Sequence, residues 1–221
     1  MRCSLLLGLF LFGLSACEAT TTPPLRGELR LGFDELAAGK LPAGWVADAT
    51  RRVGPLATWE VADSAGAPSA PHALSLSYPN HKQYDSFNLC WTPAVQFADG
   101  TLEVSVCARS GKEDQGGGIL WRAQGPDDYY IVRLNPLESN LRLYVVQRGN
   151  REMLASAEAK AELGRWYRLA VTHQGQRIEC RVDGQLLLTV DDATLPQAGG
   201  VGVWTKADAA TDFDDFVVLG R

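Results

Sequence analysis

The sequence predicts an all-β protein, a two-sheet antiparallel sandwich of jelly-roll type, and three observations carry that prediction. Runs rich in β-branched and aromatic residues recur at intervals of about ten residues from residue 86 onward. Hairpin turn signals separate those runs, such as Gly125-Pro126-Asp127-Asp128, Gly149-Asn150 and Asp183-Gly184. The crossover helices that a parallel sheet needs are missing from the pattern. Residues 28–221 carry neither a Pro/Ser linker nor an internal repeat, so they are expected to form one domain.

Taken in order, residues 35–72 are rich in Gly, Pro and Ala, which predicts long loops with edge strands. Gly118 to Gln124 and Tyr129 to Asn135 then read as a hairpin, with Gln124 opposite Tyr129, Arg122 opposite Ile131 and Leu120 opposite Arg133. Alternation places Ile119, Trp121, Ala123, Tyr130, Val132 and Leu134 on a core face. Leu120, Arg122, Gln124, Tyr129, Ile131, Arg133 and Asn135 fall on the other, which is expected to be wettable. Further hairpins follow: Leu141 to Arg148 with Glu152 to Ala155, and Tyr167 to His173 with Arg177 to Asp183. The second of these aligns Val171 with Ile178, Leu169 with Cys180 and Tyr167 with Val182. Leu186 to Val190, Gly202 to Lys206 and Asp212 to Leu219 complete the set, and Ser156 to Glu162 reads as an exposed loop or single turn.

The first residues give an address. Leu5 to Leu14 is a ten-residue apolar run behind Arg2, the length of a signal h-region and too short to span a bilayer. It ends in Leu14-Ser15-Ala16-Cys17, which resembles the bacterial lipoprotein signal. That resemblance implies a signal peptide over residues 1–16, a lipidated Cys17, and a Thr/Pro tether over residues 17–27. Glu18, in place of the Asp of inner-membrane retention, points to the outer membrane. Membrane attachment is expected through lipid alone; the alternative is a plain secretory peptide with an incidental Cys17. Cleavage takes one Arg and no acid from a net charge of −5, leaving −6, which argues against a nucleic-acid partner. Cys90, Cys107 and Cys180 remain in the domain. Either Cys90 and Cys107 pair across a hairpin, or all three are buried thiols. His72, His81 and His173 are too scattered for zinc.

Three segments carry a wider likeness: Gly116-Gly117-Gly118-Ile119-Leu120-Trp121-Arg122, Asp128-Tyr129-Tyr130-Ile131-Val132-Arg133, and Gly202-Val203-Trp204-Thr205-Lys206-Ala207-Asp208. With Gly32-Phe33-Asp34, Leu41-Pro42-Ala43-Gly44-Trp45 and Asp212-Phe213-Asp214-Asp215-Phe216, they resemble bacterial envelope domains of the concanavalin A-like, laminin-G-like jelly-roll type. Those domains are related to 3-keto-disaccharide hydrolase-like and family 16 glycoside hydrolase-like domains. The resemblance implies the fold more firmly than an activity. Family 16 enzymes carry Glu-x-Asp-x-(x)-Glu on one strand, and this chain lacks it. Serine-nucleophile and phosphate-loop motifs are missing as well, and Gly116 to Gly118 is expected to serve a bulge or close backbone approach.

The candidate ligand residues are therefore Arg122, Tyr129 and Arg133 on the wettable face, with Trp204, Lys206 and Asp208 near them. Aromatic rings cover the C–H faces of sugars, while Arg, Asn and Asp groups bond their hydroxyl edges; the planar Arg fork also suits an acidic glycan. The competing reading is structural, with Trp204 in a core and Arg122 paired to Asp128 or Asp208. Asp34, Asp214 and Asp215 form a weaker candidate group for a structural calcium, near the joined ends of the fold. Strand alternation points Asp214 and Asp215 opposite ways, so a shared ion would need a bulge there. The expectation is a glycan or cell-surface polysaccharide as partner, bound without catalysis or cofactor. A carbohydrate-active hydrolase is the second expectation, and a scaffold domain with no small ligand the third.

Overall fold

The computed structural model describes residues 23–79 and 87–221. The expected signal peptide, Cys17, most of the tether and His81 lie outside them. The described chain contains fifteen strands and no helix. They are β1 (Gly27–Leu31), β2 (Val46–Thr50), β3 (Thr58–Asp63), β4 (His72–Tyr78), β5 (Phe87–Phe97), β6 (Gly100–Ser110), β7 (Gly117–Gly125) and β8 (Asp128–Asn135). There follow β9 (Asn140–Gln147), β10 (Asn150–Glu158), β11 (Tyr167–Gln174), β12 (Arg177–Val182), β13 (Gln185–Asp191), β14 (Gly199–Lys206) and β15 (Ala210–Gly220). An eight-stranded sheet runs β13-β12-β11-β6-β15-β4-β3, with β1 also paired to β15. A seven-stranded sheet runs β10-β9-β8-β7-β14-β5-β2. All pairings are antiparallel.

The hairpins form where the turn residues dictate. Asp183 and Gly184 both adopt positive φ, 48° and 81°, and so do Arg148 and Gly149, at 49° and 74°. Each pair forms a two-residue turn with the twist that an antiparallel ribbon favours. Two registers differ from expectation by two residues: past the bulge between Trp121 and Gly125, Leu120 rather than Arg122 faces Ile131 and Gly118 rather than Leu120 faces Arg133. Gly175-Gln176 makes a tighter turn than the three-residue loop expected, so Val171 faces Cys180 and Leu169 faces Val182. An even shift keeps every side chain on its face, so the core is unaffected. β10 extends to Glu158, taking in the start of the expected 156–162 loop.

Between the sheets lies one large core, which includes Trp45, Trp59, Ile119, Trp121, Tyr130, Val132, Phe213 and Phe216. The inward phase expected of Ile119, Trp121, Tyr130, Val132 and Leu134 is present, while Ala123 packs on the opposite face. Cys90, Cys107 and Cys180 are free, buried thiols. Cys90 lies on β5 and Cys107 on β6; these strands belong to different sheets, so the expected hairpin between them does not form.

Near one end of this core, Trp121 Nε1–H donates to His173 Nδ1 at 3.0 Å. Burial, reinforced by the Arg122 charge, pushes His173 down to about 4, so it stays a neutral acceptor. The unfolded chain therefore takes up this proton near 6.5 and the folded chain only near 4, so acid in that window favours unfolding. Asp214 acts oppositely. Burial raises it to about 6, so folding gains from its protonation between 3.8 and 6. In denaturant titrations, His173→Gln is expected to gain stability relative to wild type as pH falls from 6.5 to 4, with a constant difference above 6.5. A difference constant across the whole range would contradict a neutral His173.

Candidate functional site

The outer face of the seven-stranded sheet combines aromatic rings with cations along its rows. β5 contributes Phe87, Leu89 and Trp91, and β14 contributes Trp204. β8 contributes Tyr129, Ile131 and Arg133, with Arg142, Tyr144 and Val146 opposite them on β9. The face is not wettable as expected. Phe87, Leu89, Trp91, Leu120, Ala123, Tyr129, Ile131, Tyr144, Val146 and Trp204 form a second buried apolar cluster.

The cause is curvature. β10 and β5 are five positions apart in the sheet, about 24 Å if it were flat. Yet the Arg151 guanidinium on β10 lies 4.7 Å from the Phe87 ring centre, 4.4 Å from that of Tyr144 and 5.9 Å from that of Trp204. Thr50 of β2 likewise reaches the Tyr129 hydroxyl at 2.7 Å and donates to Pro126 O at 2.6 Å. Two opposite corners of the sheet thus fold towards each other over this face. Glycines permit the bend at the two central strands. A Cβ at Gly118 would fall 1.8 Å from Val132 O, and one at Gly200 would fall 2.6 Å from the Trp91 ring.

At the apolar end, the Trp204 indole N–H donates to the Tyr129 hydroxyl at 3.1 Å. At the polar end, Arg133 donates to Glu138 Oε2 at 3.0 Å and Asn140 Oδ1 at 3.2 Å, and Arg142 pairs with the same Glu138 oxygen at 2.7 Å. Burial works against the Glu138 charge. Hydrogen bonds from Asn140 and Arg133, with the charges of Arg133 and Arg142, outweigh it and hold the carboxyl below the usual range. Asp114 moves the other way. Burial raises its pKa despite Arg133, the Gly116 amide and Lys206, whose Nζ is 3.9 Å away. Its Oδ1 accepts from Gly116 N at 2.6 Å and Asn135 Nδ2 at 3.0 Å.

The expected ligand residues divide. Tyr129, Arg133 and Trp204 share this face, but all three are buried, with Tyr129 and Trp204 inside the second cluster. Lys206 stands at its polar end beside Asp114. Asp208 is a loop cap instead: its carboxylate accepts from the amides of Lys112, Glu113 and Asp114 at 2.7–3.0 Å. Arg122 is not on the face at all. A bulge between Trp121 and Gly125, with Arg122 at φ 48°, turns its side chain inward and sends Ala123 outward. There it donates to the carbonyls of Ala98, Leu195 and Gly175 and pairs with Asp99 at 3.3 Å, rather than with Asp128 or Asp208.

Asp34, Asp214 and Asp215 do come together, because β15 carries the bulge that their convergence requires, with Asp215 at φ 48°. Asp214 accepts from Ser69 N at 2.9 Å, Asp215 from Ser69 Oγ at 2.7 Å, and Asp34 from His72 N at 3.0 Å. Among the described residues, no group of three or more His, Cys, Asp or Glu side chains is arranged to hold a metal ion.

Sequence reasoning missed Phe87, Trp91, Asp114, Glu138, Arg142, Tyr144 and Arg151. The aromatic–aliphatic–aromatic spacing of Phe87, Leu89 and Trp91 was a usable signal for one covered strand face. Arg151 carried none, since its partners lie far away in sequence.

Neither a family model nor the sequence of any curated protein matches the chain. Solved structures do match by shape. The carbohydrate-binding module CBM66 from Bacillus subtilis superposes with a TM-score of 0.59 at 18% identity, covering 78% of this chain and 93% of that one. The cellulose-induced protein Cip1 gives 0.61 at 16% identity, with 87% and 99% covered. The β-glucanase of Bacillus licheniformis gives 0.55 at 14%, with 88% and 99% covered. The fold is the concanavalin A-like jelly roll. At these identities the likeness establishes that fold and nothing finer.

Proposed function

We propose that this chain is a lipid-anchored envelope protein whose jelly roll binds a carbohydrate on the outer face of the seven-stranded sheet, without catalysis. The observation that carries the reading is the pair of partly exposed guanidinium groups, Arg142 and Arg151, at the surface of that one face, over the buried rings of Tyr144 and Trp204. Guanidinium donors held in place over packed rings supply hydrogen bonds to the hydroxyl edges of a sugar. The carbohydrate-binding module of the same fold supports the reading by analogy. The anchor rests on Leu14 to Cys17.

One observation favours a hydrolase as the second reading. Asp114 and Glu138 flank Arg133 with their proton affinities pushed apart, the pattern of an acid and a base. Asp114, however, is 2% exposed, and its Oδ1 is held by the Gly116 amide and Asn135. A group so enclosed has no path for delivering a proton to a substrate, and the binding reading is preferred. The test is a glycan-array screen of the purified chain, in which Tyr144→Ala should lose the glycans that wild type retains. Binding that survives Tyr144→Ala, or release of reducing sugar that disappears in Glu138→Gln, would overturn it. For the anchor, Cys17→Ser should abolish metabolic fatty-acid labelling; labelling equal to wild type would contradict lipidation at that residue.

A further inference from the structure

We infer that the saccharide recognised by this face is anionic, carrying carboxylate groups along its chain, a deepening that rests on the carbohydrate-binding reading above. Arg133 and Arg142 stand directly opposite each other on neighbouring strands. Like charges so placed repel, and a sheet tolerates the pair only when a counter-charge sits between them. Glu138 supplies it through one oxygen, Oε2, which accepts from Arg133 and Asn140 and pairs with Arg142. Its carboxylate is a built-in example of the group these cations select.

One carboxylate does not serve the whole set. Arg151 adds a third guanidinium, held among the rings of Phe87, Tyr144 and Trp204 with no acid paired to it among the described residues. Lys206 has its own partner in Asp114. Arg133, Arg142, Arg151 and Lys206 therefore answer to two acids, Glu138 and Asp114, on a chain whose net charge is −5. Positive charge is concentrated at this place against the overall balance. Moreover, Arg133 Nε, Arg142 Nε and Arg151 NH1 are buried and donate to nothing. A buried donor without an acceptor is costly, and more so on a charged group. Unpartnered buried polar atoms also occur elsewhere among the described residues, but the guanidinium ones all gather on this face, where a ligand that brings acceptors answers them. A uronate supplies two acceptor oxygens in the plane that a guanidinium fork fits. Sugar hydroxyls alone leave the excess charge unanswered.

Calorimetric titration of the full-length chain with a galacturonate oligosaccharide, and with the same oligosaccharide fully methyl-esterified, separates charge from sugar shape. A sulfated galactan oligosaccharide forms the third arm, and neutral oligosaccharides the fourth. The free acid should bind at least tenfold more tightly than the ester, with the advantage shrinking as salt is raised. Arg142→Gln and Arg151→Gln should each cut that advantage to less than threefold. Arg142 is about one-third exposed, so its variant is expected to melt with wild type. Equal binding of acid and ester, or preference for neutral oligosaccharides, would overturn the anionic assignment and leave carbohydrate binding standing. Binding of the sulfated arm alone would overturn the carboxylate class. Failure of every arm would remove both readings.

Discussion

Arg122→Leu is expected to destabilise the fold by about 3–5 kcal/mol while leaving the glycan affinity of the folded fraction unchanged. The guanidinium is 3% exposed and ties together three segments: the β5–β6 corner at Ala98 and Asp99, the β11–β12 turn at Gly175, and the loop at Leu195. Removing it strands three carbonyl oxygens at one end of the core, while the Asp99 carboxylate keeps the Gly175 amide at 2.8 Å. Leucine fills volume but accepts and donates nothing, so the loss comes from unsatisfied partners rather than from a cavity. Urea unfolding should show a lower midpoint with an unchanged denaturant slope. A variant as stable as wild type but deficient in glycan binding would return Arg122 to the ligand surface and refute its structural role.

Gly118→Ala should be comparably severe. Its Cβ would fall 1.8 Å from the carbonyl oxygen of Val132 and 2.8 Å from the Cα of Arg133, both backbone atoms of the paired strand. No rotamer relieves a backbone collision, so β7 and β8 must separate, at a cost above the ~1–3 kcal/mol usual for an overpacked core. Gly125, at the end of the same strand, has nothing within 4 Å of the corresponding point. Gly125→Ala is accordingly expected to unfold with wild type. Similar melting of the two variants would show that the close approach of β7 and β8 is wrong.

Strand phase was legible in the sequence because it is local. Alternation around Trp121 and Tyr130, and the turn residues Asp183 and Gly184, set which side chains face inward. The bulge at Arg122 was not legible, since Arg is a poor marker of positive φ and the three carbonyls that reward its inward turn come from separate loops. Nor was the curl of the seven-stranded sheet. It depends on Phe87 meeting Arg151 and Thr50 meeting Tyr129, contacts between residues more than sixty positions apart. Leu120, Ile131 and Tyr129 did hint that the supposed wettable face was half apolar. Without the curl, nothing indicated what would cover it. The candidate site suffered accordingly: Arg133 and Trp204 were found on the right face, whereas Arg142, Tyr144 and Arg151 emerge only when the strands are laid side by side. The β15 bulge explains how the consecutive residues Asp214 and Asp215, which alternation points to opposite faces, come to share Ser69.

Binding of the saccharide on the outer face of the seven-stranded sheet is tested directly by amide and side-chain NMR mapping during a galacturonate titration. The indole N–H signal of Trp91 and the Nε–H signals of Arg133, Arg142 and Arg151 should move together. Those of Trp45, Trp59 and Trp121, which pack between the sheets, should stay in place. Shifts confined to the groove between β10 and β13, around Lys160, Arg165 and Asp183, would put the ligand elsewhere and contradict the account.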